Sequence, residues 1–288
     1  MKTATVIGAG RLGTTLARAL SREGYEIRYL CCRTPPSARE SVRFAGAGVP
    51  TTDAVRAARA ASIVFLCVPD DEIARTARRL AASSVNWKGK TVIHTSGLHA
   101  AGILAPLKKK GAATISLHPI QTFPRKDSGP DPFRGTSFGL EGDPGAGKTA
   151  REIVRKLGGK VLIIEPDEKP LYHAAFVLAS GGTAVLLESA VSLLESAGLG
   201  KKKATRILLS LANETLRNVK KLGAERGLTG PFARGDVRTI RAHLRALSGR
   251  KAVSELYRTL GLKSLGIAKK RNVPETRIRA LKKILLGG

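Results

Sequence analysis

Aromatic residues make up only 4% of this 288-residue chain, with a single tryptophan. So little aromatic volume argues against an aromatic-filled β-sandwich and leaves Ala, Val, Ile and Leu to build the cores. Cysteines are fewer still: Cys31, Cys32 and Cys67, all within apolar, strand-like runs. Adjacent cysteines make a poor disulfide pair and the spacing of a zinc site is missing, so no metal and reduced cytoplasmic thiols are expected. No apolar run reaches the length of a membrane span. The opening Thr3-Ala4-Thr5-Val6-Ile7 stops at Gly8, too soon for a signal peptide, so no membrane association is expected.

Acidic side chains are also scarce, 22 Asp+Glu against 50 Lys+Arg, for a net charge of +28. The excess is uneven: Lys201 to Gly288 holds 23 basic and 5 acidic residues, a net of +18. Such a surface attracts anions, whether nucleotides, carboxylate substrates or nucleic acid.

What is present reads as two regions. The first half alternates strand and helix. Strands are expected at 3–7, 27–32, 62–68, 91–95, 113–117, 137–140 and 160–164, with amphipathic helices over 11–23 and 71–82. That alternation argues for a doubly wound parallel α/β sheet over residues 1–165. From residue 166 to 288 the pattern is helical only, with segments 168–197, 203–222, 236–247, 252–260 and 275–285 punctuated by glycines.

Gly8-Ala9-Gly10-Arg11-Leu12-Gly13 directly follows the first strand and opens the first helix, the context a dinucleotide-binding turn requires. Gly8 permits the turn, Gly10 admits the pyrophosphate, and Gly13 lets helix and strand pack closely. The second strand ends without an acid for a ribose. Instead Arg33, Thr34 and Ser37 are placed to hold a 2′-phosphate, which points to NADP rather than NAD. Val68-Pro69 and His94-Thr95-Ser96-Gly97 end two further strands, where an open sheet binds its ligands.

Four ordered motifs then carry a resemblance: His94-Thr95-Ser96-Gly97, Ser116-Leu117-His118-Pro119-Ile120-Gln121-Thr122-Phe123, Lys169-Pro170-Leu171-Tyr172-His173-Ala174-Ala175, and Thr229-Gly230-Pro231-Phe232-Ala233-Arg234-Gly235-Asp236. Over nearly its whole length the chain resembles the predicted short-subunit dehydrogenase-like family. That resemblance implies a Rossmann-like domain joined to an uncharacterised helical domain, similar to the C-terminal domain of 6-phosphogluconate dehydrogenase. It also implies chemistry like that of the pyrroline-5-carboxylate, β-hydroxyacid and ketopantoate reductases, and a homodimer by analogy. Where the family usually shows Ser-Asn, this chain has Ser180-Gly181-Gly182, so it lacks an asparagine that helps hold substrate in the hydroxyacid dehydrogenases.

Reduction needs a hydride and a proton donor. Lys169 and His173, four residues apart on one helical face, are the candidates, with Lys169 favoured. Ser180, three ideal turns on, shares that face. Ser96, His118, Gln121, Arg234 and Asp236 are further candidates for holding a small anionic substrate. Asp236 reads equally well as a helix N-cap. Two alternatives compete. Gly142-Asp143-Pro144-Gly145-Ala146-Gly147-Lys148-Thr149 fits the P-loop pattern letter for letter, but its preceding strand is short, and it is read as a surface loop. The basic C-terminal third suggests a nucleic-acid binder on an inactive Rossmann scaffold, a reading weakened by the scarcity of aromatics for stacking.

Overall fold

The computed structural model describes residues 2–126, 129 and 131–287. Its first compact unit runs to Gly181 and its second spans Gly182–Gly288. Eight strands form the first unit's sheet: β1 Thr3–Ile7, β2 Glu26–Cys31, β3 Val49–Thr51, β4 Ile63–Leu66, β5 Thr91–His94, β6 Ala113–Pro119, β7 Ser137–Gly142 and β8 Lys160–Ile163. Their order is β3-β2-β1-β4-β5-β6-β7-β8. Pairing is parallel throughout except between β6 and β7. The chain first winds outward from β1 through β2 to β3, then resumes on the other side at β4. This reversal is the topological switch point at which doubly wound sheets bind ligands.

Helices cover both faces. In chain order they are α1 Arg11–Arg22, α2 Pro35–Ala45, α3 Ala54–Arg59, α4 Asp70–Ala81, α5 Ala105–Lys108, α6 Pro144–Lys156 and α7 Lys169–Val177. Leu16, Leu20, Ala150, Ile153 and Val154 of α1 and α6 close one core against Val6, Phe65, Ile93, Ile115 and Leu117. On the opposite face Ile73, Ala77, Leu80 and Leu107 pack on Ile7, Val64, Leu66 and Val92. The cores are largely aliphatic, as the composition requires, and in the central strands β1, β4, β5 and β6 most side chains are buried on both faces, whereas the edge strands β3 and β8 are not.

Five elements of this half escaped the sequence pattern: β3, α2, α3, α5 and α6. β3 is a three-residue edge strand containing Pro50, tolerable there because an edge needs fewer ladder donors. The signals for α2 were present, with Pro35 and Pro36 in its first turn and Thr34 accepting from the Ser37 amide at its N-cap.

The last strand ends at Ile163, but the first unit continues to Gly181, beyond the expected boundary at residue 165. The reason is α7, whose buried Lys169 and half-buried Tyr172 bond to Ser116 and His118 of β6. A π-helical turn, Leu178–Gly182, then carries the chain into α8, Thr183–Ser196. Through this turn the helical stretch runs continuously from Pro166 to Ser196. By length and composition it is long and apolar enough to cross a membrane, which corrects the expectation that no such run exists.

The second unit also contains α9 Lys201–Gly227, α10 Pro231–Arg234, α11 Val237–Ala246, α12 Lys251–Lys270 and α13 Glu275–Leu285. Its core gathers Ile240, Leu265, Ala268, Ile278, Leu281 and Leu285. Gly261 of α12 leaves room for the Phe232 ring, which a Cβ there would meet at 2.7 Å. Part of the basic excess is structural: Arg258 donates to the terminal carbonyls of Ile284 and Leu285, and Arg271 to that of Leu228.

Candidate active site

The glycine turn has the form its sequence implies. Gly8, at φ +90°, donates to the Cys31 carbonyl at 2.9 Å, and Gly10 donates back to Gly8 at 2.7 Å. A Cβ on Gly8 would lie 2.6 Å from the backbone of Cys67 and Val68, and one on Gly13 equally close to the Gly8 carbonyl. Gly10 differs, because a Cβ there would meet nothing closer than 4.0 Å. Its outer side is open. Gly10 caps α1 without any side-chain hydrogen bond, and no acid stands in the first turn. The amides that begin with Arg11 and Leu12 are therefore available to an anion, and the cradle fits a dinucleotide diphosphate.

Ala9 is buried, Val68 adjoins the turn just past β4, and Pro69 is the exposed residue that precedes α4. At the end of β2, Arg33 and Thr34 are exposed and Ser37 is half-buried. The Thr34 hydroxyl is engaged as the cap of α2, which leaves Arg33 as the charged group of this corner.

At the ends of β5 and β6 a second polar constellation forms. The Lys169 side chain is 1% exposed, and its Nζ donates to Ser116 Oγ at 2.8 Å and to the Ser96 carbonyl at 3.4 Å. Burial pushes its pKa below the ordinary lysine value, while Glu141 and Asp70 oppose that shift. His94 is fully buried; its Nδ1 accepts from the Ser96 amide at 3.2 Å, and its Nε2 has no hydrogen-bond partner among the described residues. Desolvation and then the Lys169 charge push its pKa down to about 3. His118 is pushed down to about 4 by burial, then by Lys169 and His173. Its Nδ1 lies 2.8 Å from the Tyr172 hydroxyl, and its ring meets that of His173 edge-on, with centroids 6.0 Å apart.

Two glycines make this packing possible. A Cβ on Gly97 would strike His173 Cδ2 at 2.6 Å, and one on Gly139 would strike the Tyr172 hydroxyl. The antiparallel pairing of β6 with β7 sets Gly139 opposite His118, so the strand reversal creates the seat.

The structure thus brings together Lys169, His173, His118 and Ser96 of the expected residues, and adds Ser116, His94 and Tyr172. One signal for Tyr172 was legible. Lys169, Tyr172, His173 and Phe176 follow the i, i+3, i+4, i+7 spacing of a buried helix face. Other expected residues lie elsewhere. Gln121 is exposed, and its side chain accepts from the adjacent Thr122 amide. Ser180 is exposed within the π turn, where an ideal 3.6-residue count no longer predicts the face. In the second unit Arg234 pairs with Asp236 at 2.8 Å. Asp236 occupies the N-cap of α11 without a capping side-chain bond, and His243 of that helix bonds the Tyr257 hydroxyl at 2.7 Å.

The P-loop-like segment is not the surface loop expected from sequence. Gly142 ends β7, Asp143 precedes α6, and Pro144 to Thr149 are already helical. No loop remains to wrap a phosphate. The Asp143 carboxylate accepts from the Thr114 amide and hydroxyl and from Lys108, a further obstacle to an anion there.

Fold and site together define an α/β Rossmann architecture with a helical C-terminal part. Residues 2–119 match the model of a Rossmann-like domain, and residues 136–264 that of a domain of unknown function, DUF2520. No curated protein matches the sequence. Among solved structures, the chain is similar to BF3122 from Bacteroides fragilis, named as an NADP oxidoreductase, with 27% identity, TM-score 0.76, and 93% and 98% of the two chains covered. The fold is shared with an imine reductase from Streptomyces aurantiacus, at 17% identity, TM-score 0.65 and 99% coverage of both chains. It is shared too with a Plasmodium falciparum pyrroline carboxylate reductase with NADP bound, at 14% identity, TM-score 0.60, and 93% and 98% coverage.

Proposed function

We propose that this chain is an NADP-dependent oxidoreductase that reduces a small oxo acid or imine acid. The observation that carries the reading is the buried Lys169 amine, held by Ser116 and Ser96 at the carboxyl edge of the same sheet that presents the open Gly10 turn. When bound, NADPH supplies the hydride. The residues expected to hold it are Gly8, Gly10 and Gly13 with the first amides of α1, and Arg33 at the 2′-phosphate. Lys169 supplies the proton: an ammonium whose pKa is lowered by burial gives up its proton more readily than a solvated lysine. The titratable neighbours nearest it, His94 and His118, are held neutral at pH 7 and are poor acids by comparison. An anionic substrate suits a chain of net charge +28. Among oxo acids, the family resemblance favours one like ketopantoate; the named reductases of shared fold favour an imine acid. Three free cysteines suit a reducing, cytoplasmic setting.

A homodimer is part of this reading. In the second unit α8 packs against α9, yet Val185, Ile207, Leu209, Leu211 and Leu216 are all exposed. An apolar surface of this kind is rarely left to solvent, and a second copy offers the same surface by two-fold symmetry.

The test is NADPH oxidation by purified protein, sized by sedimentation, against a panel of 2-oxo acids and cyclic imine acids that includes ketopantoate. Turnover is expected with at least one, falling about 10²- to 10⁴-fold in Lys169→Met with NADPH affinity retained. Absence of heat on titrating NADPH into the wild type would sink the enzyme reading, and a monomer at micromolar concentration would sink the dimer.

A further inference from the structure

We propose that Tyr172 is a positioning residue that locks His118 in the tautomer with its proton on Nε2, so that His118 offers a neutral N–H donor to an acceptor atom of the substrate. The contact is the 2.8 Å hydrogen bond between the Tyr172 hydroxyl and His118 Nδ1. Its direction follows from the surroundings of the phenol. Burial pushes the Tyr172 pKa up to about 12, so it stays protonated, and among the described residues its hydroxyl is shown bonding only to His118. A buried O–H needs an acceptor, and Nδ1 is the one in reach, so the hydroxyl donates and Nδ1 accepts. A neutral imidazole that accepts at Nδ1 carries its proton at Nε2.

The ring cannot swing away from this bond cheaply. The Tyr172 ring is braced edge-on by Phe176, with centroids 4.7 Å apart, and its hydroxyl occupies the space left by the missing side chain of Gly139. His118 Nε2 lies beside Gly97, 3.0 Å from where a Cβ would stand, and no hydrogen bond among the described residues claims it. The charged and titratable groups facing His118 are Lys169, His173, Tyr172, Asp70 and His94; Lys169 and His173 disfavour an imidazolium and Asp70 favours it. The result divides the labour: Lys169 gives a proton, whereas His118 polarises by donating a hydrogen bond and keeps its own.

As a statement about reduction the proposal rests on the function given above, but the tautomer is measurable without any substrate. Protein labelled with ¹⁵N in its histidine rings, with His118 assigned by its loss in His118→Gln, is examined by long-range ¹H–¹⁵N correlation at pH 7. Wild-type His118 is expected to show a protonated Nε2 and a bare, hydrogen-bonded Nδ1. Tyr172→Phe, which keeps the ring and its packing, is expected to give a tautomer mixture and a protonation midpoint shifted up towards the ordinary histidine value. Once a substrate is found, kcat/KM should fall about tenfold in that variant, the worth of one hydrogen bond. A wild-type proton on Nδ1 overturns the proposal whatever the variant does. So does an unchanged tautomer in Tyr172→Phe, or a changed tautomer with undiminished kcat/KM. Failure of NADPH to bind would instead refute the oxidoreductase reading and leave the tautomer result standing.

Discussion

The turn after β1 and the polar cluster at the ends of β5 and β6 belong to one sheet edge but are built by opposite means. The turn works through what is missing. Gly8 and Gly13 have no side chain because backbone occupies the place, whereas beside Gly10 the space is open, which in the proposed reading admits the ligand. At the cluster, side chains do the work, drawn from β5, β6 and α7: Lys169 reaches Ser116 across 53 residues of sequence, and His118 reaches Tyr172 across 54. A site made of backbone tolerates almost any chemistry but no added volume. A site made of side chains tolerates small changes of volume but no change of chemistry.

The largest effect that would break this contrast lies at the turn itself. Gly8→Ala places a Cβ 2.6 Å from two backbone atoms at φ +90°, and is expected to cost more than about 3 kcal/mol of stability. Gly10→Ala meets open space and is expected to cost no more than about 1 kcal/mol, yet it should weaken NADPH binding at least about tenfold by obstructing the diphosphate. Urea unfolding and calorimetry on the pair separate the two roles. If Gly10→Ala bound NADPH as tightly as the wild type, Gly10 would be one more packing glycine and the open side of the turn would have no purpose.

A smaller effect sharpens the comparison at the other end of the cofactor. In the proposed reading Arg33 is the side-chain charge that meets the 2′-phosphate. Arg33→Asp should reverse the preference for NADP over NAD, with a change of about tenfold to a hundredfold in the ratio of kcat/KM values. Equal ratios in wild type and variant would mean that cofactor choice is made elsewhere.

How much of this was legible follows from the same contrast. The turn could be read because its mechanism is local: six consecutive residues between a strand and a helix state both the geometry and the reason for it. The strand alternation was legible for a similar reason, since burial on both faces leaves continuous aliphatic runs. The cluster was legible only in part. Lys169 and His173 stood out as neighbours on one helix face, but Ser116 and His94 acquire meaning only when parallel pairing sets β5 beside β6. Gly139 could not be interpreted at all until the antiparallel β7 brought it opposite His118. The π turn erased the count that linked Ser180 to Lys169, because one inserted residue rotates everything beyond it. The P-loop match failed for the converse reason. Its letters were right, but the helix begins at Pro144, where a phosphate loop would still have to run.

The smallest expected effect concerns stability against pH, and it tests whether the cluster is dry. In the folded chain His94 is pushed down to about 3 and His118 to about 4, while an unfolded histidine titrates near about 6.5. Between those values the unfolded chain binds protons that the folded chain refuses, so stability is complete above about pH 6.5 and is lost as pH falls towards 3. Each histidine contributes at most about 1.4 kcal/mol per pH unit to that loss. His94→Asn keeps an acceptor for the Ser96 amide but cannot titrate. Its urea-unfolding free energy, followed from pH 7 to pH 5, should therefore fall less steeply than that of the wild type, by up to that amount per unit. Equal slopes would mean that His94 is protonated as easily inside as outside, that water reaches the end of β5, and that the same water reaches Lys169. A lysine in contact with water would lose the desolvation that lowers its pKa, and the side-chain site would then owe its chemistry to something other than burial.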